Sequence, residues 1–114
     1  MSKEIVVTKT YDLLKTSIPM LNNLPRSHKY TFGERVQNHI TDVLEMLIEA
    51  TYIQTDKKRP ILYTVNIRLE TLRYYFRLGY DLGLYSSIRY NEYAQKIDEI
   101  GRLTGGWIKS LPPQ

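Results

Sequence analysis

Arginine and tyrosine are interleaved in the third quarter of the chain, and together they can bind nucleic acid. Arg73 and Arg77 are spaced i, i+4, which makes them neighbours on a helix surface. Tyr63, Tyr74 and Tyr80 lie off the apolar seam of the same segment. A guanidinium can contact phosphate while a tyrosine ring stacks on a base. Exposed tyrosine and arginine are equally common in subunit interfaces, so the spacing leaves both interpretations open.

A second pair, Arg35 and His39, could carry acid–base chemistry on RNA. An arginine and a histidine on one helical face form the ribonuclease pair of HEPN-type helical bundles. That family places four to six residues between the two, whereas three stand here, Val36-Gln37-Asn38. A surface arginine and a surface histidine on an acidic helix explain the pair more simply. A HEPN-like ribonuclease remains the alternative function.

Metal and cofactor chemistry have little support in the sequence. A di-iron bundle needs inward Glu-x-x-His pairs on two helices, and neither His28 nor His39 has a glutamate three residues before it. The absence of cysteine excludes disulfides, thiolate metal sites and cysteine nucleophiles. Neither a glycine-rich phosphate loop nor a serine-hydrolase elbow is present. We therefore expect no metal and no cofactor.

The positive charge of the chain is unevenly distributed. The net charge is +4 over 114 residues, with seven bases and two acids in residues 57–90 and one base and five acids in residues 32–56. This pattern favours either an anionic partner or charge-matched packing between segments and subunits. No apolar run is long enough for a secretory signal or a membrane span, so we expect a cytoplasmic protein without a membrane partner.

Four segments have the three- and four-residue apolar spacing of amphipathic helices. The predicted seams are Val7, Tyr11, Leu14, Ile18, Leu21 and Leu24; Val36, Ile40, Val43, Leu47 and Ala50; Leu62, Val65, Leu69, Leu72, Phe76 and Gly79; and Tyr93, Ile97, Ile100, Thr104, Trp107 and Leu111. Helices of matched length joined by short links predict an all-α, antiparallel up-down four-helix bundle. We expect residues 1–114 to form this one domain.

Local signals predict how the helices begin and end. Thr31 followed by Glu34 has the spacing of a capping box and predicts the start of the second helix after a polar link. The basic segment 56–59 predicts a solvated turn, with Pro60 in the first turn of the third helix. Gly83 is suited to the residue that follows the end of the third helix.

The fourth helix carries Gly105 and Gly106 beside Trp107. Glycine inside a helix costs about 1 kcal/mol relative to alanine. We interpret the pair as permitting close approach between helices; a frayed or kinked helix end is the alternative.

Several separated motifs resemble one family in order and register. The segment 100–110, IGRLTGGWIKS, resembles the C-terminal signature of the small four-helix-bundle family known from 23S rRNA intervening sequences. The other matching pieces are Ile18-Pro19, Leu24-Pro25-Arg26, Phe32-Gly33-Glu34-Arg35 and Leu72-Arg73-Tyr74-Tyr75-Phe76-Arg77. The most similar branch is the accessory variability determinant (Avd) of diversity-generating retroelements.

This resemblance implies a non-enzymatic accessory protein that forms a homo-oligomer, a pentameric barrel. Avd-type proteins associate with the reverse transcriptase and template RNA of the element and support mutagenic copying. The family's arginines in the third helix match Arg73 and Arg77, which we expect to contact nucleic acid, RNA or DNA, or the polymerase. Arg26, Lys29 and Arg35 are expected to assist. An RNA- or protein-binding bundle of the intervening-sequence type with another role is the second alternative.

Overall fold

Four long helices form an antiparallel up-down bundle with sides of 46 × 23 × 19 Å. The computed structural model describes the backbone of residues 2–113 and the side chains of residues 4–113. The helices are α1 (Ser2–Asn22), α2 (Glu34–Tyr52), α3 (Lys58–Asp81) and α4 (Ser87–Ser110). Each helix packs against its sequence neighbour, and α1 packs against α4 to close the bundle. The predicted all-α fold is thus confirmed.

The buried seams of α2 and α3 are the predicted ones, and α4 buries its predicted seam down to Trp107. The seam predicted for α1 is correct at Leu21 and Leu24, but before them it is displaced by one position: Thr10 and Ser17 are buried, while Tyr11 is exposed. The two hydroxyls donate to the carbonyl oxygens of Val6 and Leu13, at 2.9 and 2.7 Å. Because these bonds satisfy the buried hydroxyls, polar residues can occupy core positions that apolar periodicity assigns elsewhere.

The link between α1 and α2 is helical, which corrects the predicted capping box. After Pro25 the chain forms one α-turn, Arg26–His28, and then a π-helical turn, Lys29–Gly33, which leads directly into α2. Thr31 lies inside the π-turn, and its hydroxyl donates back to the carbonyl oxygen of Ser27 at 3.3 Å. The amides at the start of α2 follow a turn that is already helical, so no side-chain cap is formed there.

The sequence predicted that the basic residues at the start of α3 would be solvated, but two of them contact backbone carbonyl groups. The Lys58 ammonium donates to the carbonyl oxygens of Ala50 (2.5 Å) and Thr51 (3.2 Å) in the last turn of α2. The Arg59 guanidinium donates to the carbonyl oxygens of Ile108 (3.4 Å) and Pro112 (2.9 Å) at the end of α4. Both cations therefore contact carbonyl groups at or just beyond the C-terminal ends of α2 and α4, where the helix dipole favours positive charge.

The glycines of α3 and α4 have different roles. Gly83 has φ +75° and follows the end of α3, as predicted; the amide of Leu84 donates to the carbonyl oxygen of Gly79, which closes a Schellman motif. The predicted close packing at Gly105 and Gly106 is wrong, because a Cβ added at either would meet nothing within 4 Å. The helix continues to Ser110, so the pair does not mark its end either.

Replacing Ser86 by alanine is expected to lower the free energy of unfolding by about 1 kcal/mol. The Ser86 hydroxyl accepts a hydrogen bond from the amide of Arg89 at 3.2 Å and caps α4. Ser87→Ala, at the next residue, removes a hydroxyl without removing this cap and serves as the control. Urea denaturation of both variants measures the difference; equal losses would contradict a capping role for Ser86.

Candidate functional site

Arg73 is half-buried between α3 and α4, and its charge is compensated within the chain. Its Nε lies 3.0 Å from Glu70 Oε1, and its guanidinium forms a second ion pair with Asp98 of α4. A Cβ added at Gly101 would lie 3.2 Å from the guanidinium, so the side chain crosses α4 over a glycine. Arg73 thus links two helices and faces two carboxylates.

Intramolecular partners also engage most of the other basic residues of α3. Arg77 is exposed and lies 3.8 Å from Asp81 one turn later. Arg68 lies 3.6 Å from Asp42 of the acidic helix α2. Together with the cations at the start of α3, five of the seven bases in residues 57–90 contact carboxylates or carbonyl groups of the chain: Lys58, Arg59, Arg68, Arg73 and Arg77. The charge excess of this segment therefore serves largely in packing.

The remaining predicted cations cluster around the π-turn. In the side chains described, residues 4–113, no carboxylate lies within ion-pairing distance of Arg26, Lys29 or Arg35. Arg26 and Arg35 are exposed, and the Lys29 ammonium lies 5.5 Å from the centroid of the Tyr30 ring. Of the five predicted site residues, these three carry the positive charge that is least compensated within the chain.

Two shallow grooves flank the π-turn and share Tyr30 and Glu34. The larger, of about 540 Å³, lies between α3 and the π-turn with the start of α2; it is lined by Tyr30, Thr31, Phe32, Glu34, Arg35, Asn38, Tyr75 and Leu78. The smaller, of about 300 Å³, is lined by Leu21, Asn22, Lys29, Tyr30, Gly33, Glu34 and Gln37. Tyr30 is 61% exposed and forms the ridge between them. Sequence reasoning missed Tyr30, Asn38 and Tyr75. Asn38 lies one turn after Arg35 on α2, whereas Tyr30 reaches the groove through the π-turn and Tyr75 through the packing of α3 against α2.

His39 is more enclosed than the surface histidine expected from the sequence. Its ring lies 5.3 Å from that of Tyr75, and its Nδ1 lies 3.5 Å from the Arg68 guanidinium. Partial burial lowers the pKa of His39 below its ordinary value of 6.5; Arg68 lowers it further, Asp42 opposes the shift, and Arg35 adds a smaller decrease. The surroundings of the imidazole therefore disfavour its protonated form.

This shift predicts a loss of stability on acidification that depends on His39. As the pH falls below about 6.5, the unfolded chain binds a proton at this histidine before the folded chain does, so the free energy of unfolding decreases until the lower folded pKa is reached. We expect His39→Gln to reduce the fall in Tm between neutral pH and pH values below that range. Thermal melts across this range test it, with His28→Gln as control; identical pH profiles for wild type and His39→Gln would contradict the prediction.

The outer face of α3 carries an apolar stripe that no other part of the described chain covers. Tyr63, Ile67, Tyr74 and Leu78 recur at intervals of four, seven and four residues, and all four are exposed. A groove of about 410 Å³ runs beside Tyr63 and Ile67 and reaches Gly101 of α4. Large exposed apolar patches mark interaction surfaces, so this stripe is a candidate protein interface.

Two features are absent from the residues that the structure describes. In residues 4–113, no group of three or more histidine, aspartate or glutamate side chains could hold a metal ion. Over the described backbone, no helix has the length and apolar character that a membrane span requires.

Comparisons with known proteins agree with the bundle. A crystal structure of a protein of unknown function from the S23 ribosomal protein family of Bacteroides thetaiotaomicron matches with a TM-score of 0.87, covering 96% of this chain and 100% of that one. At 16% sequence identity this likeness shows the fold alone. The comparison with curated proteins gave no match. A profile of the bAvd-like family matches residues 4–111, nearly the full length, and the chain therefore belongs to the bAvd-like family.

Proposed function

We propose that this protein is a non-enzymatic, cytoplasmic accessory factor of a diversity-generating retroelement, in which it binds the reverse transcriptase and template RNA and supports mutagenic copying. The observation that carries the proposal is the bAvd-like match over residues 4–111. The clustered, uncompensated cations at the π-turn are consistent with an anionic partner. The apolar stripe on α3 is consistent with a protein partner.

The accessory role includes assembly as a homo-oligomer, which we propose to be a pentamer as in Avd-type proteins. The support in this chain is the stripe of Tyr63, Ile67, Tyr74 and Leu78, which contributes nothing to the bundle core. Burying such a row against a second copy would remove apolar side chains from water. Light scattering should give a mass several times 13.5 kDa.

The five predicted site residues contribute unequally in this proposal. Arg26, Lys29 and Arg35 offer charge to RNA phosphates, and Arg77 can exchange its single exposed partner for a ligand. Arg73 already faces Glu70 and Asp98, so its contribution is the arrangement of the α3–α4 surface rather than a free cation. A variant with both Arg73→Ala and Arg77→Ala would test the contact proposed for the third helix.

Co-purification with the reverse transcriptase tests the accessory function directly. The tagged chain is co-expressed with the reverse transcriptase and template RNA of its own retroelement, and both are expected to be recovered with it. Arg102→Ala, which removes an exposed arginine of α4 that is not among the predicted site residues, serves as the control. Recovery of RNA without reverse transcriptase would favour an RNA-binding bundle of another role, and recovery of neither would overturn the proposal.

An RNA cleavage assay distinguishes the accessory function from the alternative of a HEPN-like ribonuclease. A HEPN-like ribonuclease would lose cleavage in the variants Arg35→Ala and His39→Ala. We expect intact RNA with wild type and variants alike.

A further inference from the structure

We propose that Tyr30 and the two grooves beside it form a binding site for unpaired nucleotides of single-stranded RNA, with a base stacked on Tyr30 and phosphates held by Arg35 and Lys29. The inference rests on the accessory function proposed above and assigns its RNA contact to a place that the third-helix arginines do not share. We call the residues of this site the Tyr30 ridge, or the ridge: Lys29, Tyr30, Arg35, Asn38 and Tyr75.

Charge is the first reason for this assignment. Phosphate binding requires cations whose positive charge is not already compensated by the protein. Arg35 lines the larger groove and Lys29 the smaller, so cations stand on both sides of Tyr30. Neither forms a salt bridge with a carboxylate in the described side chains, in contrast to Arg73 and Arg77. A strand that crosses the ridge would meet a cation before and after the aromatic ring.

The aromatic ring supplies the second reason. Tyr30 exposes 61% of its surface at a ridge, where it adds little to the core. Base stacking on an aromatic side chain is largely independent of sequence, because every base has a π-face. The Lys29 ammonium lies over one face of the ring, 5.5 Å from its centroid, so a base would stack on the opposite face with a cation close by. Ring and cation together match one nucleotide, its base and its phosphate.

The walls of the larger groove are fixed, which limits the entropy lost on binding. The ring of Tyr75 lies 6.3 Å from that of Phe32 and 5.3 Å from that of His39, so its position is determined from two sides. Asn38, exposed on α2, brings an amide that can donate to and accept from a base edge. Among the residues lining this groove, Glu34 is the one carboxylate, and it opposes the binding of phosphate.

Single-stranded RNA fits the ridge better than a duplex or a protein. In a duplex the bases are paired and stacked on one another, and the bases of single strands can be splayed onto aromatic side chains. The α3 stripe, which shares Leu78 with the larger groove, is more apolar than the ridge and is the better protein surface. The combination of tyrosine, amide and uncompensated cations indicates an unpaired RNA segment.

Fluorescence anisotropy with a short, unstructured, labelled RNA and with a hairpin of matched length tests the proposal. We expect Tyr30→Ala to weaken binding of the unstructured RNA by about 5- to 150-fold, the range of one lost stacking contact, without changing the salt slope. Tyr30→Phe keeps the ring and should bind like wild type. Arg35→Ala should lower the slope of log affinity against log salt by about 0.7, the value for one phosphate contact on a single strand.

Matched controls lie on other parts of the bundle. Tyr52→Ala removes a tyrosine that is 86% exposed at the far end of α2, and Arg102→Ala removes an exposed arginine of α4. Both should bind the unstructured RNA like wild type. Glu34→Gln should increase affinity, because it removes the carboxylate from the groove. Circular dichroism verifies that each variant retains its helices.

The outcomes separate this site from the accessory function itself. Equal affinity of wild type and Tyr30→Ala for the unstructured RNA, or equal losses in Tyr30→Ala and Tyr52→Ala, would overturn the site. Absence of RNA binding by the wild type would overturn it too, while recovery of the reverse transcriptase would keep the accessory function. If Tyr30→Ala loses the reverse transcriptase but keeps its RNA affinity, the ridge is a protein contact and the proposal is wrong.

Discussion

Replacing Gly79 by alanine is expected to destabilise the bundle by about 1–3 kcal/mol, the cost of overpacking a filled core. A Cβ at this position would lie 2.7 Å from Tyr85 Cζ and 2.8 Å from Phe32 Cζ. The Tyr85 ring cannot easily retreat, because its hydroxyl donates to the carbonyl oxygen of Phe76 and its edge packs on Tyr93. If the ring moves away from the new methyl group, this hydrogen bond is lost, which costs about 1 kcal/mol of stability. That cost offsets the higher helix propensity of alanine.

Gly106→Ala is the matched control for Gly79→Ala. Gly106 is exposed within α4, and an added Cβ meets nothing within 4 Å, so this variant should gain about 0.5–1 kcal/mol. The two substitutions make the same chemical change, but we expect Gly79→Ala to lower the free energy of unfolding and Gly106→Ala to raise it. Thermal and urea unfolding measure both; a Gly79→Ala protein as stable as Gly106→Ala would mean that the Tyr85 ring moves aside.

Apolar spacing was sufficient to predict most of the fold. In α2 and α3 every predicted seam residue is buried, because those seams contain only apolar residues and glycine. The α1 seam was displaced because Thr10 and Ser17 satisfy their hydroxyls on carbonyl groups four residues earlier. The π-turn was not predicted, because Thr31 and Glu34 have the spacing of a capping box. That spacing does not reveal that the preceding backbone is itself helical.

The candidate site shows where sequence reasoning stops. Spacing identified Arg73, and the local pair with Glu70 could be read from the same helix, but the ion pair with Asp98 depends on how α3 and α4 pack. Likewise the groove between Tyr30 and Tyr75 joins two elements that are distant in the chain. The net charge of a segment therefore does not show which of its cations are available to a ligand. That depends on the ion pairs that form when the helices pack together.

Ile67→Glu is expected to convert the proposed homo-oligomer to monomers without unfolding it. Ile67 is 67% exposed at the centre of the α3 stripe and lies outside the bundle core, so the substitution removes little internal packing. In a ring, each copy of the stripe would contact the next subunit through the same interface, so one substitution places a carboxylate in every contact. Burying an unpaired charge there opposes association strongly.

Light scattering of wild type and Ile67→Glu measures this effect, with circular dichroism as the control for folding. Ile88→Glu is the matched variant, since Ile88 is an isoleucine of similar exposure, 72%, at the start of α4 and is not part of the stripe. We expect wild type and Ile88→Glu to share a mass of several subunits and Ile67→Glu to fall to 13.5 kDa. A wild type that is already monomeric at tens of micromolar would contradict assembly itself. An unchanged mass for Ile67→Glu would instead place the subunit contact on another face of the bundle, and the exposed row on α3 would then be available to the reverse transcriptase.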